Sequence, residues 1–406
     1  MNPATASSAS TRLFFLDWVR IIAFFVLILY HVGMVYVSWD YHVKSTVVIP
    51  GIEPLMQLSS PWRLGLLFLI SGVASGSMLQ KLAPGGFLRQ RSWRLLLPLL
   101  FGMAFIVPPQ SWVQVVEKVG YAGSFADFMQ LYWHAYHGFC KDGHCLILPT
   151  WNHLWFVAYL WVYSTLLALL MVLAGPRFAR CAQWLGGLLQ GGKIILLPVL
   201  VLVVARLTLF AQFPETHDLV HDWYNHAKYL FLFLLGALMA SQPRFWQQLD
   251  TLRWTTLGSA ICCWAMLVVY YHLPDGVISP EQEIFWRDLQ RVVYAVLQWL
   301  AMCAACGFAH RHLQFDSAKR RYLAQAVFPV YILHQTLIVV LEHGLKPCKF
   351  DAGMEALLLI VLTLTLSFAG FELVRRVRVL RPLFGLGPLP AMPQPLPMQE
   401  GGALAR

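Results

Sequence analysis

The sequence predicts an all-α, polytopic membrane protein, and three observations carry that prediction. Of its 406 residues, 58% are hydrophobic and only 12% charged, about half the charged share of an ordinary soluble domain. Mean hydropathy is +0.59, and apolar runs of about 20 residues recur along the whole chain, each long enough to cross about 30 Å of hydrocarbon. Lys and Arg gather in short loops at alternate ends of those runs, the positive-inside pattern of multi-pass proteins.

Ten spans are expected, at 13–37, 59–80, 93–108, 152–174, 194–213, 224–242, 254–272, 288–309, 322–343 and 355–374. The intervening charges justify each in turn. Asp40 and Glu53 follow the first span, and Lys81, Arg89, Arg91 and Arg94 follow the second. Glu117, Asp127 and Asp142 come next, then Arg177, Arg180 and Lys193, then Glu215, Asp218 and Asp222. Arg244 and Arg253 precede an acidic loop with Asp275, Glu281 and Glu283. Arg311, Lys319, Arg320 and Arg321 lead into the ninth span, and Arg375, Arg376, Arg378 and Arg381 close the tenth. This alternation sets both termini in the cytoplasm of a bacterial inner membrane. The first run is too long for the apolar part of a signal peptide and has no small-residue cleavage site after it, so it reads as a retained helix.

The expected organisation is a cytoplasmic tail over 1–12, a membrane domain over 13–380, and a Pro/Gly-rich cytoplasmic tail over 381–406. A net charge of +10 could suggest nucleic acid, but its distribution as loop charge excludes that partner; the partner read directly from the sequence is the lipid bilayer. In the long outer loop, "CKDGHC" places Cys140 and Cys145 where an oxidising compartment would let them bond. A zinc site with His144 is the rival reading, but too few ligands lie nearby, and no metal is expected.

Ionisable groups inside hydrocarbon are costly and mark function, so the first span is the place to look for chemistry. Arg20 and His31 are eleven residues apart, about three helical turns, and share one face about 16 Å apart along the axis. Asp17, three before Arg20, can pair with it on that face. One stripe thus offers a cation near the cytoplasm and an imidazole near the outside, where it can act as a general base. The bland alternatives are an interhelical hydrogen bond for the histidine and snorkelling for the arginine.

A second cluster, "GGFLRQRSWR", sets Arg91 and Arg94 three apart with Arg89 just before. Guanidinium groups bind phosphates bidentately, although charges here also serve topology. Arg63 sits at the outer end of the second span against the charge rule, which suggests a buried partner or an anionic ligand, while "SGVASG" after it reads as tight helix packing. His153, Trp155 and Trp161 open the fourth span, and Tyr331, His334 and Gln335 fall together on the ninth. These groups can line an acceptor site or bind helices to one another. His42 and Lys44, and the run "ETHDLVHDW", read as solvated loops, the latter with metal-capable spacing.

Arg20 and His31 in the first span, "LFLISG" in the second, the Arg91/Arg94 pair, "HLWFVAYLWVY" and "PVYILHQ" together resemble the acyltransferase 3 family of integral-membrane acyltransferases. The resemblance covers residues 12 to 380. Within the family the layout is most similar to the succinyltransferase subgroup that modifies osmoregulated periplasmic glucans. The resemblance implies a ten-helix core and transfer of an acetyl or succinyl group from cytoplasmic acetyl-CoA or succinyl-CoA to a periplasmic glucan or surface polysaccharide. It makes His31 the essential base, with Arg20, Arg91 and Arg94 holding the donor. Arg63 would meet a succinyl carboxylate, and direct transfer competes with an acyl-histidine relay. A secondary transporter or exporter is the alternative function, since it too would use ten spans and intramembrane charge.

Overall fold

The computed structural model describes residues 13–388, and the two expected tails, 1–12 and most of 381–406, lie outside them. Helices account for nearly all of its regular secondary structure. The first five are α1 (Phe14–Tyr36), α2 (Glu53–Ser59), α3 (Arg63–Leu79), α4 (Pro84–Phe101) and α5 (Pro108–Val119). They are followed by α6 (Phe125–Trp133), α7 (Trp155–Ala174), α8 (Pro176–Leu188), α9 (Lys193–Leu209) and α10 (Trp223–Met239). The last five are α11 (Pro243–Tyr271), α12 (Glu283–His312), α13 (Ala318–Leu345), α14 (Ala352–Arg376) and α15 (Leu380–Leu383). A two-stranded hairpin, β1 (Cys140–Lys141) and β2 (His144–Cys145), pairs Cys140 with Cys145 and Lys141 with His144.

Among the described residues, seven helices are long and apolar enough to cross a membrane, or nine if two bent pairs each count as one span. The first pair is α4 and α5, joined through a π-helical turn at Gly102–Ile106 and bent by 45° where Pro108 and Pro109 interrupt the backbone ladder. The second is α8 and α9, bent by 109°. The remaining expected span coincides with α10, whose 17 residues fall short of the roughly 20 that cross a bilayer unaided. This is an all-α, multi-pass membrane protein.

Small residues bring the centre together, as "SGVASG" predicts. A Cβ on Gly72 of α3 would lie 1.9 Å from the Phe233 carbonyl oxygen of α10, and one on Gly236 would lie 2.1 Å from the Leu69 oxygen. The two backbones therefore touch, and no side-chain movement can relieve a substituent there. Gly72→Val is expected to destabilise the protein by about 1–3 kcal/mol or more, the usual cost of overpacking. Thermal unfolding of the purified variant in detergent checks this; an unchanged midpoint would show that the contact is loose.

The two ends differ chemically. One carries the acidic loops and the other the Lys/Arg clusters, and they are called here the acidic and basic ends. At the acidic end, residues 37–49 do not form the solvated loop expected around His42 and Lys44. Lys44 Nζ donates to the Met34 and Trp39 carbonyls at 2.7 and 3.0 Å, and to the Val37 carbonyl, closing the C-terminus of α1. The segment then runs back over the bundle, with Ser45 Oγ donating to Glu355 of α14 at 2.7 Å. The long loop after α5 is also folded, and Val115, Phe128, Tyr132, Phe139 and Leu148 form a small core under the Cys140–Cys145 disulfide. "ETHDLVHDW" is largely solvated, with Val220, His221 and Trp223 exposed, but it is anchored at one point. Asp222 is fully buried and accepts from Tyr159 Oη at 2.6 Å and from Asn225 Nδ2 at 2.8 Å. At the basic end, residues 381–388, expected within the tail, instead turn back against α4.

Candidate active site

Arg20, Phe24, Leu27 and His31 stand at i, i+4, i+7 and i+11 of α1, one stripe facing the bundle. At its acidic end His31 meets α13: His31 Nδ1 and His334 Nε2 are 2.8 Å apart, and the rings stack with centroids 5.1 Å apart. The proton positions follow from what lies beyond. His334 Nδ1 is 2.6 Å from the Tyr331 carbonyl oxygen, which can only accept, so His334 carries its proton there. In the neutral ring Nε2 is then an acceptor, and His31 must donate through Nδ1. The remaining nitrogen of His31, Nε2, keeps its lone pair.

His31 lines a cavity of about 420 Å³ together with Leu27, Tyr41, His42, Trp151, His153, Trp155, His217, Tyr331 and Gln335. His334 stands behind it, with no exposed surface. The cavity wall is a continuous hydrogen-bonded chain. His153 Nε2 donates to the Ile332 carbonyl at 3.1 Å, so its Nδ1 accepts from Gln110 at 3.3 Å. Gln110 accepts from Gln335 at 3.2 Å, and Gln335 donates to His42 Nε2 at 2.9 Å. His42 Nδ1 donates to Gln114 Oε1 at 2.7 Å. Gln335 donates both ways, and each of the two imidazoles donates from one nitrogen and accepts at the other, which requires neutral rings. Burial agrees: desolvation holds His42 below its ordinary value of 6.5. Tyr331 Oη donates to the His153 carbonyl, and Trp155 stacks on His217 with centroids 4.1 Å apart.

Arg63, buried at the start of α3, lies flat over the Tyr30 ring at 3.3 Å from its centroid. Its Nε and Nη1 have no hydrogen-bond partner, and its charge reaches His31. A buried cation with unused donors beside the imidazole is a ready anion site. Of the residues expected on the acceptor side, His153, Trp155 and Tyr331 share the cavity with His31, His334 contacts it from behind, and Arg63 packs on the neighbouring Tyr30. Sequence reasoning missed His42 as a wall residue and Gln110 and Gln114 as the groups that hold the wall's histidines. The spacing of the two glutamines, four apart on α5, is the signal that could have found them.

The basic end holds the other half. Arg20 Nη2 contacts Asp17 at 3.2 Å and the Ala324 carbonyl at 3.3 Å, and Asp17 also pairs with the buried Arg320. Asp17 pairs with Arg20 as its spacing suggests, while fourteen residues, about 21 Å of helix, separate it from His31. Its place is between two arginines, where it orients guanidinium groups rather than the imidazole. Arg91 and Arg94 also diverge. Arg91 turns inward, donating to the Ser71 carbonyl at 3.2 Å and to Ser75 Oγ, within electrostatic reach of Arg20 and Arg94. Arg89 and Arg94 instead line a cavity of about 710 Å³ at the basic surface. Along the stripe between the ends, Phe24 packs edge-on against Tyr331 at 5.3 Å between centroids.

The site thus offers an imidazole on a cavity at one end of the bundle and a guanidinium cluster at the other. The acyltransferase domain family matches residues 13–372, and the chain belongs to it: this is an integral-membrane acyltransferase, and not the transporter that ten spans would also have allowed. Among curated relatives it is similar to "Glucans biosynthesis protein C" of Escherichia coli O17:K52:H18, 24% identical over 403 residues, covering 96% of this chain and 97% of that protein. It is equally similar to the protein of the same name from Shigella dysenteriae serotype 1, at 24% identity and the same coverage. No solved structure matches the chain.

Proposed function

We propose that this enzyme, in the bacterial inner membrane with both termini in the cytoplasm, moves an acetyl or succinyl group from cytoplasmic acyl-CoA to a glycan hydroxyl outside. The relatives' name, with its reference to glucans, supports the acceptor class. The observation that carries the mechanism is the His31–His334–carbonyl relay, which leaves His31 Nε2 as the basic atom of the ring on the cavity. The glycan hydroxyl oxygen attacks the thioester carbonyl while Nε2 takes its proton. The tetrahedral adduct then collapses, the C–S bond breaks, and the imidazolium returns the proton to the departing thiolate. His334 accepts from Nδ1 throughout, steadying the imidazolium as the third member of a triad does. The acidic end, with its aromatic cavity, takes the sugar, and the arginines of the basic end take the phosphates of the donor.

Purified protein in detergent, where no gradient exists, is expected to transfer the acyl group of acetyl-CoA or succinyl-CoA to an isolated glucan, read by mass spectrometry. Periplasmic glucans and surface polysaccharides that keep all their acyl groups in a deletion strain would overturn the reading.

Arg63 selects the donor in this scheme. Its unpartnered Nε and Nη1, with a charge felt at His31, support this role, since they could meet the free carboxylate of a succinyl group. A charge-assisted hydrogen bond contributes about 1.5–3 kcal/mol, so Arg63→Leu is expected to lower kcat/KM for succinyl-CoA about tenfold or more beyond any loss for acetyl-CoA. Equal losses with the two donors would remove Arg63 from carboxylate recognition and leave it a stabiliser of the reacting carbonyl.

A further inference from the structure

The cavity at the basic end is closed by a part of the chain that sequence reasoning left in a tail. After α14 the backbone reverses through Val377 and α15, and residues 384–388 return to α4. Arg381, 5% exposed, gives its guanidinium to this reversal, with Nε donating to the Gly387 carbonyl and Nη1 to the Arg375 carbonyl, both at 2.7 Å. Phe384 packs edge-on against Phe101 of α4 at 5.5 Å. Gly385 has φ +70°, and a Cβ there would lie 3.0 Å from the Arg94 carbonyl oxygen. Only glycine combines that backbone with so close a seat. The hook is thus a built element resting on Arg94 itself.

The hook brings Arg378 to the same cavity as Arg89 and Arg94. Among the described residues none of these three guanidinium groups faces a carboxylate, although Arg375, Arg376, Arg320 and Arg321 nearby all do. Three like charges converging without a counter-ion are held at a cost that an anion relieves. Between Arg89 and Arg94 stands Trp93, 65% exposed on the same wall. A cavity of about 710 Å³ is within the range of small-molecule sites. Phosphate accounts for the guanidinium groups, and it could come from a lipid headgroup or a nucleotide; the indole accounts for a flat ring, which a lipid headgroup lacks.

We infer that the C-terminal hook completes the site for the nucleotide end of the donor, with Arg378 taking a phosphate and Trp93 stacking on the adenine. The inference rests on the acyl-CoA reading above and adds Trp93 of α4 together with Arg378, which α4 alone does not supply.

The test is calorimetric titration of the purified full chain in a neutral detergent with coenzyme A and with adenosine 3′,5′-bisphosphate. Arg378→Gln is expected to weaken both about fivefold or more, and Trp93→Leu about threefold or more, whereas Trp93→Phe keeps most of the affinity. Both positions are exposed, so melting curves without ligand should coincide with the parent and separate lost binding from lost folding. Unchanged affinity in Arg378→Gln and Trp93→Leu overturns the inference while leaving the donor reading intact. So does a loss confined to binding of phosphatidylglycerol nanodiscs, which would make the cavity a lipid site. If the parent protein neither binds coenzyme A nor transfers from either acyl-CoA, the donor reading falls and the inference with it.

Discussion

Replacing His31 with alanine is expected to lower kcat by about 10²–10⁴-fold, the contribution of a positioned general base, without changing the melting curve. The side chain sits against a cavity, so its loss opens space already bordered by 420 Å³ rather than a hole in close-packed core. His334 offers the sharper test. It does not line the cavity, so it acts through His31: its Nε2 fixes the His31 proton on Nδ1. His334→Ala should cost about 10–100-fold, as supporting partners of reactive imidazoles do, and the acid limb of the kcat/KM profile against pH should move. His334→Gln keeps an acceptor oxygen and is expected to recover part of the activity. A role confined to packing would leave the pH profile where it is and give no recovery. Full transfer by a folded His31→Ala protein would remove the base from the mechanism altogether.

The stripe itself was legible because it is local: eleven residues on one helix fix both the shared face of Arg20 and His31 and their separation. The partner was not. His31 and His334 are 303 residues apart, and nothing in either segment says that α1 and α13 touch. The tight α3–α10 contact was half legible. "SGVASG" announced a close approach but not to which helix, and Gly72 and Gly236 answer each other only in the fold. Arg91 and Arg94 were read as one face because they are three apart, yet three residues leave about 60° between side chains on a helix of 3.6 per turn. That angle sends one to Ser71 and Ser75 and the other to the surface cavity. His42 was misjudged for a related reason. Its surroundings are polar in sequence, but the polar groups it meets, Gln114 and Gln335, come from α5 and α13.

The divergence of the two arginines sets up the second large effect. Arg91 spends Nη2 on Ser71 and Ser75, which leaves its Nε buried and without a partner, while Arg20 and Arg94 add charge from either side. A buried guanidinium keeps an unused donor only at an energetic cost, and a donor phosphate offsets it with a charge-assisted bond. Arg91→Ala is therefore expected to raise KM for acyl-CoA about 10–100-fold, corresponding to about 1.5–3 kcal/mol, with a smaller change in kcat. Arg91 also ties α4 to α3, so some loss of stability is expected too, and the two effects need separate readouts. Coenzyme A at saturating concentration should raise the melting temperature of the parent protein, because a ligand that binds only the folded state stabilises it. It should fail to do so for Arg91→Ala, while Arg91→Lys, which keeps the charge and loses the fork, falls between. A variant that melts earlier yet gains as much from coenzyme A as the parent would show that Arg91 holds helices together and nothing more, and the donor's phosphates would then rest on the arginines of the surface cavity.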